Sequence, residues 1–280
     1  MRLYATLLLI LLIIKVNFSS GQTDITKYVR YSYNGIEAYG ILNGETINEL
    51  QGNDLFSSPE ETGNTVALSK VNLLAPCNPS KVLAVGLNYR SHIGDRPIPD
   101  HMGLFTKYPT CIIAHEEPIQ MPADATNLHY EGELVVVIGK RAQKISVSEA
   151  SEYIFGVTAG NDVSERNWQR IDLQWFRAKA SDTFGPIGPV ITNGLNYNDL
   201  LLQTRLNGEI VQSERTKDLI YSVEEIVSYI SQYVTLLPGD VIFTGTPGST
   251  KAMKPGDIVE IELEGVGVLR NKVQLVGDRD

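Results

Sequence analysis

The segment Tyr130-Glu131-Gly132-Glu133-Leu134-Val135-Val136-Val137-Ile138 sets two carboxylates two positions apart at the head of an apolar run. Side chains alternate across a strand, so Glu131 and Glu133 point to one face. Like charges held that close repel each other unless a cation neutralises them. A third acid, Asp162, follows the apolar run 155–159, where the chain leaves a second strand. Three carboxylates with no Cys or His beside them suit a hard cation: Mg2+, with Mn2+ or Ca2+ as alternatives. A 2-oxo acid or an enolised 1,3-dicarbonyl acid offers such an ion two oxygens, and the ion would act as a Lewis acid on the enolate formed from it. The bland alternative is a solvated strand face, and the E-x-E spacing alone does not separate the two.

The elements that must position these acids are mostly strands. Residues 28–33 and 36–41 alternate on either side of Asn34-Gly35, and residues 201–206 and 209–212 flank Asn207-Gly208. Asn-Gly between alternating runs predicts a hairpin, because both turn positions need positive φ. Residues 28–70 therefore read as a small β-rich N-terminal unit, with 51–64 as a loop. Short apolar runs at 82–86, 134–138, 155–159, 241–243 and 258–263 predict buried strands. The stretch 91–101, with Gly94, Pro97 and Pro99, reads as a loop of the kind that forms lids. Ser146-x-x-Glu149 and Ser222-x-x-Glu225 are capping boxes. The second opens a helix with Ile226, Val227, Ile230 and Tyr233 on one face. The fold class is mainly β with a few helices (α+β).

The chain has 280 residues and a net charge of −9, enough length for a sizeable core and the wrong sign for nucleic acid or anionic lipid. An acidic protein with an anionic substrate needs a local positive centre. Cys77 and Cys111, without zinc spacing, read as small core residues. Residues 1–21 carry Arg2, an apolar run to Ile14 and small polar residues after Lys15. This predicts a cleavable secretory signal, with an uncleaved membrane anchor as the alternative, and so a secreted or periplasmic protein.

Blocks in a fixed order resemble the fumarylacetoacetate hydrolase family across residues 81–273. They are Gly86-Leu87-Asn88-Tyr89-x-x-His92, Phe105-Thr106-Lys107, the Tyr130–Lys140 segment, Gly160-Asn161-Asp162-Val163-Ser164-x-Arg166-x-Trp168-Gln169, Arg177-Ala178-Lys179-x-x-Asp182, Asn207-Gly208-Glu209 and Thr244-Gly245-Thr246-Pro247. The resemblance implies a mixed β-roll catalytic domain over 76–280 behind the small region 22–75, and a homodimer. It implies a metal on Glu131, Glu133 and Asp162. It places Arg166, Gln169, Thr246 and Tyr89 against substrate and makes His92 and Lys179 catalytic, with His92 as general base. Arg166 and Lys179 would supply the local positive charge.

One departure matters. Relatives that cleave C–C bonds carry a lid Glu just before Pro-x-x-Phe. Here His101 and Met102 stand in those places, and Asp100 or Asp95 is the nearest substitute. Asn167 stands where the family usually has Asp. The leading expectation is a divalent-metal-dependent hydrolase of acylpyruvate-like acids, with Asp100 completing the lid. The alternative is an isomerase or decarboxylase of 2-oxo dicarboxylic acids, which needs the enolate but no attacking water. A rival of another class is a secreted metal- or ligand-binding protein without turnover.

Overall fold

A computed structural model describes residues 24–277. Its strands are β1 Thr26–Tyr33, β2 Ile36–Asn43, β3 Thr46–Leu50, β4 Glu61–Ala67, β5 Val82–Gly86, β6 Gly103–Lys107, β7 Gly132–Ile138, β8 Ile154–Asn161, β9 Gly185–Asn193, β10 Leu201–Leu206, β11 Glu209–Arg215, β12 Val241–Phe243, β13 Ile258–Leu263 and β14 Gly267–Leu275. The main sheet runs β4-β3-β2-β1-β9-β8-β7-β12-β5-β6. It is mixed, because β12 pairs parallel with β5 while β7 runs antiparallel to both β8 and β12. A second sheet, β11-β10-β13-β14, adds the short strand Ile119–Met121. This is the mainly β architecture with few helices that the sequence predicts.

The residue pattern explains the layering. Strand β7 is buried along its whole length. Leu134, Val136 and Ile138 enter one apolar cluster and Val135 and Val137 the other, so the central strand separates two cores. A strand covered on both faces reads as a continuous apolar run. Its carboxylates are therefore carried into the interior, where no solvated face exists for them.

The two Asn-Gly turns form as expected. Asn34 and Gly35 have φ of 51° and 78°, and Asn207 and Gly208 have 53° and 84°. The N-terminal strands join the main sheet directly through β1 and β9, with Thr26 opposite Asn193. Three local expectations change. The stretch 91–101 begins inside the short helix α1, Arg90–Ile93, followed by α2, Arg166–Ile171, and α3, Phe176–Ala180, in chain order. The expected loop 51–64 contains a 3-10 turn and the start of β4. The capping box at Ser146 does open a short helix, a 3-10 helix over Val147–Tyr153. In α4, Val223–Tyr233, Ile226, Val227 and Ile230 are buried but Tyr233 is 75% exposed. Tyr233 instead meets Tyr229 edge-on at 5.4 Å, outside the core.

Candidate active site

Strands β7 and β8 lie side by side, with Gly132 opposite Asn161 and Glu133 opposite Gly160. Glu131, immediately before β7, and Asp162, immediately after β8, meet at the shared end, where the Asp162 amide donates to the Glu131 carbonyl at 2.9 Å. One oxygen from each of Glu131, Glu133 and Asp162 lies within 4.8 Å of the others, and all three side chains are buried. Gly132 is required between the glutamates, since a Cβ there would sit 2.1 Å from Thr204 Oγ1.

Cations surround two of the three acids. Lys179 Nζ donates to Glu131 Oε2 and to Asp162 Oδ2, each at 2.5 Å. Lys107 Nζ donates to Asp162 Oδ1 at 2.6 Å and to the Lys179 carbonyl. Arg166 donates to Glu131 Oε1. Burial alone would push the Glu131 carboxyl up, but Lys179 and Arg166 hold it well below its ordinary value. Burial likewise opposes the charge on Lys179, and Asp162 and Glu131 overcome it and raise that ammonium.

Glu133 is different. It accepts the Gly245 amide at 2.7 Å and has no ion-pair partner among the described residues. Burial, then the negative charges of Asp162 and Glu131, push its carboxyl well above the ordinary range. A buried carboxylate facing two others, with no cation of its own, is the donor arrangement that a hard divalent ion satisfies. The acidic triad therefore fits such an ion, held by oxygen ligands alone.

A cavity of about 530 Å³ opens over the triad, and His92, Arg166, Gln169, Lys179 and Thr246 all line it. His92 Nδ1 contacts the Gly248 carbonyl at 2.7 Å. The Gly248 amide donates to Ser91 Oγ at 2.9 Å, and the Ser91 hydroxyl donates to Glu214. Arg166 is steadied by Gln169 Oε1 at 2.8 Å and Thr250 Oγ1 at 3.0 Å. Thr246 is committed to the frame: its hydroxyl donates to the Gly132 carbonyl at 2.9 Å and accepts from Gln212 at 2.8 Å. Phe105 and Trp175 form an apolar wall, edge to face at 5.4 Å.

Two expected residues are not brought in. Asp100 is exposed and outside the cavity wall, as are Asp95 and His101. The reason is local: these residues follow the end of α1 at Gly94 and run along the surface. Tyr89 is fully buried and does not line the cavity, and its hydroxyl has no partner among the described residues. It stands at the N-cap position of α1, and its backbone bridges to Leu219.

Several residues were not assigned from sequence. Lys107 stands in a block already noted, but 55 positions separate it from Asp162 and nothing local shows that they meet. Gln212 lies on β11 of the second sheet and ties Gly132 to the Thr246–Pro247 turn. Arg96 and Arg170 also reach the cavity wall.

Residues 81–274 match the family described as Fumarylacetoacetate (FAA) hydrolase C-terminal. The chain belongs to the fumarylacetoacetate hydrolase family. Residues 26–76 match a second description, Rv2993c-like, N-terminal. The chain is similar to a 2-hydroxyhepta-2,4-diene-1,7-dioate isomerase from Mycobacterium marinum, with TM-score 0.84 and 40% identity, covering 90% of this chain and 100% of that one. It is similar to a 5-carboxymethyl-2-hydroxymuconate delta-isomerase from Mycobacterium smegmatis, with TM-score 0.85 and 41% identity over 89% and 99% of the two chains. The mitochondrial oxaloacetate tautomerase FAHD2A of Bos taurus is 38% identical over 73% of this chain and 70% of its own length. This is an enzyme of the family, with a buried acidic triad arranged for a divalent metal.

These relatives correct the expected localisation. The tautomerase is a mitochondrial protein, which overturns the expectation of a secreted or periplasmic one. Residues 1–21, on which that expectation rested, lie outside the described residues. Among the described residues no helix is long and apolar enough to cross a membrane.

Proposed function

We propose that the chain interconverts tautomers or double-bond isomers of small 2-oxo dicarboxylic acids, of the oxaloacetate or 2-hydroxydienedioate type. The relatives named as isomerases and a tautomerase support this over the hydrolysis expected first. The observation that carries it is the contact of His92 with a backbone carbonyl, where hydrolysis calls for a carboxylate partner. A carbonyl only accepts, so Nδ1 bears the ring proton and Nε2 of the neutral imidazole is left as a base at the cavity wall.

Bound to Glu131, Glu133 and Asp162, a divalent ion (Mg2+ in this proposal) would supply Lewis-acid polarisation of the 2-oxo oxygen. His92 Nε2 takes a proton from C3 of the keto acid. The C–H pair becomes the C2=C3 double bond, the carbonyl π pair moves onto oxygen, and that oxygen takes a proton from solvent. The reverse returns the proton to carbon. No water adds and no C–C bond breaks. Lys179 bonds both Glu131 and Asp162 and holds them in place, Arg166 and Gln169 face the substrate's first carboxylate, and Phe105 and Trp175 exclude water from one side. Asp95 and Asp100 take no part.

The working unit in this proposal is a homodimer. Ile171, Leu173 and Phe176 form an exposed apolar strip beside the cavity, with Leu173 at 95% exposure. Such a strip is commonly covered by a partner. The reaction is tested by exchange of C3 protons for deuterium, followed by NMR with oxaloacetate and Mg2+ in D2O. Exchange accelerated above the uncatalysed rate, without pyruvate, is expected. Cleavage of an acylpyruvate with no accelerated exchange would return the reading to hydrolysis.

A further inference from the structure

The basic residues around the cavity fall into two groups. Lys107, Lys179 and Arg166 are each tied to a carboxylate of the triad. Arg96 and Arg170 line the same cavity, are exposed, and form no ion pair among the described residues. Neutral oxygens alone hold them. Arg96 Nε donates to the Ile93 carbonyl at 3.0 Å and Nη2 to the His92 carbonyl at 3.2 Å, which fixes the guanidinium on the helix that carries His92. Arg170 Nη2 donates to Asn167 Oδ1, one turn back in α2. The nearby Arg177 makes the contrast clear, since Asp172 neutralises it through contacts of 2.8 and 2.9 Å.

An acidic chain that leaves two guanidiniums uncompensated at the wall of its reaction cavity has positive charge available to a ligand there. In the proposed reaction Arg166, of the inner group, faces the first carboxylate of the 2-oxo acid. We propose that Arg96 and Arg170 form a second anion subsite, which binds the remote carboxylate of a dicarboxylic substrate and sets the preference for diacids over monoacids. Arg96 lies past α1 and Arg170 lies on α2, so one remote carboxylate would tie the His92 segment to the helix that carries Arg166 and Gln169. The subsite rests on the proposed reaction for its substrate, but its binding is measurable without turnover.

The test is calorimetric titration of the Mg2+-loaded protein with malate and with 2-hydroxybutanoate, two 2-hydroxy acids that differ by the second carboxylate. The same titrations are run on Arg96→Ala, Arg170→Ala, the double variant and Arg170→Lys. Charge-assisted hydrogen bonds contribute roughly 1.5–3 kcal/mol, so the double variant is expected to bind malate about 10–150-fold more weakly. Its affinity for 2-hydroxybutanoate is expected to shift less than about threefold, and Arg170→Lys to keep part of the preference. Equal loss for both ligands, or a wild-type protein that binds both alike, would overturn the subsite. A wild-type preference for malate without C3 exchange of oxaloacetate would sink the tautomerase reading and leave the subsite standing.

Discussion

His92 Nδ1 lies 2.7 Å from the carbonyl oxygen of Gly248, 156 positions further along the chain. The contact fixes the ring's tautomer and its direction at once. Gly248 is itself held by Ser91, and Ser91 by Glu214, so a relay of hydrogen bonds positions the His92 ring. His92→Ala is therefore expected to lower kcat by roughly 10²–10⁴-fold with KM within a few-fold, since a positioned base contributes about that much. Steady-state kinetics check it. Loss through KM alone would make His92 a binding residue.

Glu133 separates metal binding from folding. The metal-free protein gains nothing from its charge, because Asp162 and Glu131 face it and no cation pairs with it. Glu133→Gln is expected to fold with an unchanged or higher melting temperature. A ligand at about 100 times its Kd stabilises a protein by about 2.7 kcal/mol, and the variant should lose that Mg2+-induced gain. Thermal melts with and without Mg2+ check both halves. A gain equal to the wild type's would remove Glu133 from the ligand set.

Lys179 has the opposite balance. It is buried, and both Glu131 and Asp162 depend on it. Lys179→Met strands buried carboxylates and is expected to cost about 3–5 kcal/mol, read from the urea midpoint at unchanged m-value. A loss under about 1 kcal/mol would mean that the pair is solvated in solution.

The cysteines predict an inert protein. Burial pushes the Cys77 thiol up to about 12 and the Cys111 thiol up to about 11. The thiolate is the nucleophile, so below these values both stay protonated. Iodoacetamide at pH 8 is expected to leave the native protein unmodified and to label both residues in denaturant, as read by mass spectrometry. Labelling of the native protein within minutes would show that the core around them opens readily.

The homodimer is tested at its apolar strip. Leu173→Asp with Phe176→Asp is expected to convert a dimer into a monomer in light scattering. A wild type that is monomeric at micromolar concentration would refute the dimer.

Much of the framework is legible locally. Asn34-Gly35 and Asn207-Gly208 announce their hairpins because positive φ is a single-residue property. The continuous apolar run of β7 announces a strand covered on both faces. Glu131, Glu133 and Asp162 are legible as candidates because each sits at the end of such a run, although only the strand pairing brings them within 4.8 Å. Lys107 and Gln212 were missed because their partners are 55 and 80 positions away. Asp100 and Tyr89 do not line the cavity for the converse reason: being near His92 in sequence does not say which way a side chain faces. Asp100 is exposed, and Tyr89 is buried without lining the cavity.

In the proposed reaction the triad and His92 move a proton between carbon and oxygen without adding water. The direct measurement is the decay of the enol absorbance of freshly dissolved oxaloacetate, with enzyme and Mg2+, with enzyme and chelator, and with His92→Ala. The prediction is a Mg2+-dependent acceleration that the chelator and the variant both abolish, with no pyruvate formed over the same interval. Enol decay no faster than in buffer, while an acylpyruvate is cleaved, would contradict it.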